Sequence, residues 1–390
     1  MALMESSIAP IGQGEVLLHV GLHKTGTTAL QVALADSREL LEEHGVRYPG
    51  KGQYHHKAIL AGAERPYGWR GNGARITPKK HWNRLLKEVD YPGRVIISSE
   101  FLDDVKPEVG ARLVEQLGGS DRVSVVITLR AIGSILPSAW QQQVKSGMTM
   151  RYEQWLEKIL ADEASSKSDH FWWRHDQVAQ VKRWAEIVGP DRTYAVVIAE
   201  GDRNAIFNAF EALLGLPHDL LADRQGLLAN RSMTAAEAEF VRRLNKELVG
   251  QMSWDEFSSL VRRGLVLNMV EKRTPGPDEV KVQTPKWAAE RAAELGQGFA
   301  DGLRTSGVQV IGDPQALAAE PRSGSANPQQ ALDMDAAVAA ALGVVTEALA
   351  QRRQLAEQAA IETAPLPAPA PARRWSARGV ARAMKRGVSG

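Results

Sequence analysis

The chain has 390 residues, 44% apolar and 24% charged, with 48 Lys and Arg against 46 Asp and Glu for a formal net charge of +2. That apolar content is enough for a sizeable core, as one large domain or two ordinary ones. Cysteine is absent, which excludes disulfide staples, zinc–thiolate centres and thiol nucleophiles.

Residues 1–14 read as a flexible N-terminus with neither a charged n-region nor an apolar signal segment. Val16, Leu17, Leu18 and Val20 form a buried-strand run over 15–20. Gly21 through Gly26 then make a loop, and an apolar periodicity starting at Thr27 and Thr28 predicts a helix over about 27–44, closed by Gly45. Strand, glycine-bounded loop and helix N-terminus together form a phosphate cradle, because backbone N–H groups and the helix dipole both favour an anion there. Gly21 and Gly26 have the spacing of the P-loop, but Thr27 stands where the P-loop lysine belongs and Lys24 lies inside the loop. That departure makes ordinary magnesium–ATP chemistry less favoured.

His55 and His56 follow in a polar loop over 51–57, where exposure competes with an acid–base or acceptor-facing role. No further ligand spacing makes them a metal pair. A strand over 94–99 leads to Glu100, and a helix near 107–117 stops at Gly118-Gly119. The strand at 122–130 ends in Arg130, where a nucleotide hydrolase or kinase would carry an Asp for Mg²⁺. A strand ending in Arg suits a second anionic group instead. Ser134 as N-cap and Pro137 in the first turn predict a helix over about 134–146, with the Ser138 hydroxyl near its start, beside Arg130.

Helices at 151–163 and 175–188 flank the cluster Phe171-Trp172-Trp173-Arg174-His175, which either lines an acceptor pocket or packs beneath a loop. Thr193–Ile198 reads as a fourth parallel strand, and a helix at 204–214 ends at Gly215. Residues 231–305 are mostly helical, a cap or extension of the same domain. A linker at 321–332 precedes an Ala-rich helix at about 333–362 and a Pro/Ala spacer and basic tail at 363–390. The tail carries Arg373, Arg374, Arg378, Arg382, Lys385 and Arg386 and no acid. It is expected to be solvated, with docking on an anionic surface the alternative. The longest apolar run, Ala336 to Val345, is too short to cross a bilayer. The expectation is a cytoplasmic protein with no nucleic-acid role. The β/α alternation predicts an α/β fold, an open parallel sheet with helices on both faces and ligands at the carboxyl ends of its strands.

With these residues laid out, the chain resembles the sulfotransferases that use 3′-phosphoadenosine 5′-phosphosulfate (PAPS). The family's 5′-phosphosulfate loop runs Pro-Lys-Ser-Gly-Thr-Thr, and His23-Lys24-Thr25-Gly26-Thr27-Thr28 matches it with two changes. Its 3′-phosphate motif has an Arg at a strand end and a Ser eight residues later, as Arg130 and Ser138 stand here. The resemblance covers roughly residues 15–215 and fades towards about 315, although Gly307 to Asp313 looks like the closing segment of bacterial relatives.

The resemblance implies a P-loop-like fold and PAPS as donor with no metal required. It implies in-line sulfuryl transfer to a hydroxyl or amine of a carbohydrate, lipid or small metabolite. The family carries its base just after the strand between the two motifs, where Glu100 stands, with His55 and His56 as competitors. Lys24 and the loop N–H groups would stabilise charge on the leaving phosphate oxygen. Thr27 and Thr28 would add hydroxyl donors, and His23 would shape the loop. Arg231 sits where the family often places a late basic contact to the 3′-phosphate, although the family's Arg-Lys-Gly form is absent. A P-loop kinase or nucleotide hydrolase, and a non-catalytic nucleotide-binding scaffold, are the alternatives.

Overall fold

The computed structural model describes residues 8–69, 72–160, 170–202, 204–221, 231–248, 250–325 and 331–363. Expectations that fall on 161–163, Asn230, 326–330 and the basic tail beyond 363 lie outside them.

β1 (Val16–Gly21) is buried along its whole length, because apolar residues on both faces suit a strand covered by helices on each side. α1 (Thr27–Asp36) follows the loop and stops at Ser37, whose φ of −100° and ψ of 10° are not helical. The single helix expected to Gly45 is therefore two. α2 (Arg38–Glu43) opens with Arg38, whose guanidinium donates to the carbonyls of Ala35 (3.0 Å) and Tyr48 (3.1 Å). Those bonds satisfy the end of α1 and turn the chain.

The short β2 (Val46–Arg47), α3 (His56–Gly62), a hairpin of β3 (Pro66–Trp69) and β4 (Asn72–Ile76), and α4 (Lys80–Val89) lead to β5 (Arg94–Ser99). α5 (Pro107–Gln116) has Pro in its first turn, where no intrahelical N–H is lost. β6 (Val123–Arg130) is buried except at its last residue. α6 (Ile132–Val144) begins two residues before its expected start, with Ala131 rather than Ser134 as N-cap. Ser138 is consequently in the second turn.

α7 (Tyr152–Leu160), α8 (His170–His175) and α9 (Gln177–Val188) precede β7 (Thr193–Ile198) and α10 (Ala205–Leu214). The remainder is mostly helical, as expected. α11 (Ala235–Leu248) is followed by a continuous helix that changes pitch: α12 (Trp254–Glu256), eleven residues of π-helix (Phe257–Leu267), then α13 (Asn268–Lys272). α14 (Lys286–Arg304), β8 (Gln309–Ile311) and α15 (Met334–Thr363) complete the described chain.

The six-stranded sheet has the order β2-β5-β1-β6-β7-β8, and every pairing is parallel. One face buries Val16, Leu18, Val20, Val95 and Ile97 against Trp82, Leu113 and Trp184. The other buries Leu17, Ile96, Val126 and Val196 against Leu30, Leu34, Phe207 and Phe210. Each such side chain contributes roughly 1.5–3 kcal/mol when fully buried. A third cluster, including Trp140, Tyr152, Trp155, Phe257 and Met269, joins α6 and α7 to the later helices. β1 lies between β5 and β6, and the chain crosses over it after α5. This is the topological switch point where open α/β sheets leave a crevice at the strand ends.

The body extends beyond the linker expected at 321–332. Ala336 and Ala340 are buried in the helical cluster, and a Cβ on Gly343 would lie 2.0 Å from the Gly264 carbonyl oxygen, a crossing that only glycine allows. The compact units divide after Val344. Residues Met334–Gln358 are long and apolar enough to cross a membrane by length and composition alone, with a mean hydropathy of 1.3. The run of 336–345 is thus only part of a longer apolar helix.

Candidate functional site

The loop between β1 and α1 is bent by two left-handed residues, Lys24 at φ 73° and Gly26 at φ 91°. Backbone of this kind forms anion-binding nests. Among the described residues, the N–H groups of Lys24, Gly26, Thr27 and Thr28 have no hydrogen-bond partner within the protein. Thr27 is buried at the first position of α1, and its hydroxyl is equally without a partner. A buried hydroxyl and several open N–H groups at one helix N-terminus are an incomplete hydrogen-bond set that an anion completes.

Gly21 is required by the same packing, since a Cβ there would lie 2.4 Å from both Cγ2 and Oγ1 of Thr27. Gly21→Ala is therefore expected to cost about 1–3 kcal/mol through overpacking. Thermal unfolding would register this as a drop of several degrees, and an unchanged melting temperature would contradict the packing described.

A polar ladder lies beneath the loop. Thr25 Oγ1 donates to the Leu22 carbonyl and lies 2.7 Å from Thr128 Oγ1. His19 contacts Thr128 Oγ1 (3.3 Å) and Ser98 Oγ (2.8 Å), and Gln31 donates to Ser98 Oγ (3.1 Å). Burial lowers His19 to about 3, with the Glu100 charge acting against it. His19 is therefore neutral at ordinary pH and serves the ladder as donor and acceptor. Thr25 is buried within it and positions the loop rather than facing the cleft's interior as a free hydroxyl.

The two histidines separate cleanly. His55 is buried, donates from Nε2 to the Pro49 carbonyl (2.9 Å) and accepts the Ser98 N–H at Nδ1 (3.1 Å). Burial leads the causes that hold it down at about 4. With both nitrogens committed to backbone it is a structural strut, and the acid–base role expected of it is corrected. His56 begins α3 and donates from Nε2 to Glu100 Oε2 at 2.7 Å. Its ring stacks on Tyr54 and meets Phe101 edge-on.

Burial pushes Glu100 up, but the hydrogen bond and charge of His56, its own backbone N–H and His23 outweigh this and hold the carboxyl at about 2. Glu100 alone is too weak a base to take a proton efficiently near neutrality. His23 is oriented by the fully buried Asp103, 2.5 Å from its Nδ1. Arg174 lies 3.9 Å from the other Asp103 oxygen.

All of these groups except the ladder and His55 open onto one cleft of about 3380 Å³. Lys24 Nζ is 3.5 Å from Gln142 Oε1, and burial lowers its ammonium below the usual lysine range, with Glu100 acting against this. Across the cleft floor, Gly21 and Thr128 are in register on β1 and β6, which brings Arg130 to the neighbouring strand end. No described acid pairs with the Arg130 guanidinium. Ser138 also lines the cleft but donates to its own helix at the Ile135 carbonyl (2.8 Å). Its hydroxyl must turn to meet a ligand, a correction to the free first-turn serine expected.

Arg231 is corrected more strongly. Its N–H groups are taken by both Glu237 oxygens (2.7 and 2.8 Å) and by the carbonyls of Ser232, Arg273 and Met269. No donor remains for a phosphate. Within the aromatic cluster, Phe171, Arg174 and His175 line the cleft. Trp172 donates to the Ile159 carbonyl (2.7 Å), and Trp173 lies under Arg183 at 3.8 Å. Most of the cluster is therefore packing.

Sequence reasoning passed over Asp103, Lys145 and Arg262. Lys145 stands seven residues after Ser138 on α6, a helical spacing that could have been noticed. Burial, and then the charges of Lys24, Arg231 and Arg262, pull Lys145 down to about 8. Comparison of the chain with family models, with curated proteins and with solved structures finds no match to any of them.

Proposed function

We propose that this chain is a sulfotransferase that takes a sulfuryl group from PAPS and delivers it to a hydroxyl or amine acceptor. The observation that carries this reading is the meeting of Lys24 and Arg130, from adjacent strand ends, in one cleft floored by the unpartnered Thr27 hydroxyl and loop N–H groups. Two separated cations and a lysine-free helix start suit a donor with two anionic ends. When bound, the donor supplies the sulfuryl group and a bisphosphate leaving group.

Lys24, Gly26, Thr27 and Thr28 would hold the 5′ end and Arg130 the 3′-phosphate, with Ser138 as a secondary contact. His56 would accept the acceptor's proton, while Glu100 fixes its ring by taking the Nε2 hydrogen bond, the division of labour of a carboxylate-oriented base. His23, clamped by Asp103, would hold the loop beside them.

Calorimetric titration with adenosine 3′,5′-bisphosphate against magnesium–ATP tests the reading, with tight binding expected only for the former. Arg130→Ala is expected to weaken bisphosphate binding by about 10–100-fold, the loss of one charge-assisted contact. Preference for magnesium–ATP would overturn the proposal.

A further inference from the structure

Ser138, Gln142 and Lys145 stand four and then three positions apart on α6, so they share one face, and all three line the cleft. At a rise of 1.5 Å per residue they span about 10 Å. Gln142 marks the middle, where it meets Lys24. The donor, as proposed above, occupies the Ser138 end and Lys24. The Lys145 end is left over.

There the positive charge has no answer from the protein. Lys145 has no hydrogen-bond or ion-pair partner among the described residues. Glu237, the acid nearest in effect, is already bonded to Arg231 and Arg273. Arg262 approaches from the π-helix, half-buried, with its guanidinium 5.6 Å from the Trp254 ring and no carboxylate partner among the described residues. π-Helical segments are rare and occur mostly at functional sites, and this one carries Ser258, Arg262 and Val266 on the cleft wall.

Around the whole cleft, the described lining residues include thirteen Lys and Arg against five Asp and Glu, although the chain is nearly neutral. The cleft is also larger than the roughly 300–1,000 Å³ of ordinary small-molecule sites, so it has room beyond the donor. Tyr67 and Trp254 stand on the same wall. They offer flat apolar surface beside a guanidinium whose fork suits a carboxylate or sulfate.

We infer that Lys145 and Arg262 form an anion subsite for the acceptor, and that the acceptor is an acidic oligosaccharide. The inference rests on the donor reading for the direction of the cleft; the subsite itself does not. A cation pair with no internal counter-charge is satisfied by a ligand's anion, and the aromatic faces favour a sugar ring over an extended acidic peptide.

The test uses the full chain and three probes: a hexasaccharide of alternating uronic acid and N-acetylhexosamine, the same molecule with its carboxyls reduced, and an oligoglutamate of equal charge. Each is titrated calorimetrically with and without adenosine 3′,5′-bisphosphate. The acidic hexasaccharide is expected to bind at least about tenfold tighter than the other two. Lys145→Gln and Arg262→Gln should each remove about tenfold of that preference, and Lys145→Arg should retain it, with bisphosphate affinity unchanged within about twofold in all three.

Either glutamine variant suffices should the other fail to fold. Equal binding of the acidic and reduced sugars, or tighter binding of the peptide, overturns the inference. So does a parallel loss of bisphosphate affinity, which would assign Lys145 to the donor. If the acidic sugar binds through Lys145 while bisphosphate binds no variant, the donor reading falls and the subsite stands.

Discussion

Lys24→Met is expected to lower the rate of PAPS turnover by about 10²–10³-fold, the size of effect seen when a preorganised donor to a developing charge is removed. Bisphosphate affinity should fall by less than about tenfold, because the loop N–H groups and Arg130 still hold the ground state. Met retains the aliphatic stem and meets the same left-handed backbone at φ 73°, so the comparison isolates the ammonium. That ammonium stands between Gln142 and the field of Glu100, where a charge on the leaving oxygen is met without reorganisation. Release of adenosine 3′,5′-bisphosphate gives the turnover and calorimetry the affinity. Equal losses in both would mean that Lys24 only binds, and would remove it from the catalytic step.

His56→Ala is expected to lower turnover by about 10²–10⁴-fold, the usual contribution of a positioned general base. It carries a second readout that a packing defect would not produce. With His56 gone, the burial of Glu100 loses its main opposition, and its carboxyl should rise from about 2 to above the ordinary 4.5. The sign for stability follows from linkage. A carboxyl depressed on folding contributes stability that is full above its unfolded value and is lost as pH falls through its folded value. Wild-type Glu100 thus stabilises above about pH 4.5 and ceases to as pH falls towards 2. In the variant that contribution vanishes and the acid-unfolding midpoint moves to higher pH. Carboxyl titration by NMR and acid unfolding together decide this. A Glu100 carboxyl still at about 2 in the variant would show that His56 does not control it.

Much of the sheet was legible because β1, β5, β6 and β7 are apolar on both faces, a pattern that does not depend on partners. β2 has two residues, and the β3–β4 hairpin contains Pro66 and two glycines, so neither shows a period that propensity can detect. The break at Ser37 depends on Arg38 reaching Tyr48, a contact invisible in local sequence. At the site, Lys24 and Arg130 were readable because each lies at a fixed offset from a strand end.

The pairing of His56 with Glu100 crosses 44 residues, and only the fold decides that His55 turns inward while its neighbour faces the cleft. Arg231 was misread for the same reason: nothing in Asn230-Arg231-Ser232 announces that Glu237 will absorb the charge. Lys145 was missed because a lysine at a helix end ordinarily reads as a favourable partner for the dipole.

One detail of the loop bears on how this protein could be modified. Position 24 sits in a conformation that costs a side-chain-bearing residue about 1–2 kcal/mol and costs glycine nothing comparable. Folding on its own would be better served by losing the lysine. A thermostability screen blind to activity would therefore enrich glycine at this position and harvest robust but inert molecules, so any such campaign needs a functional filter from its first round.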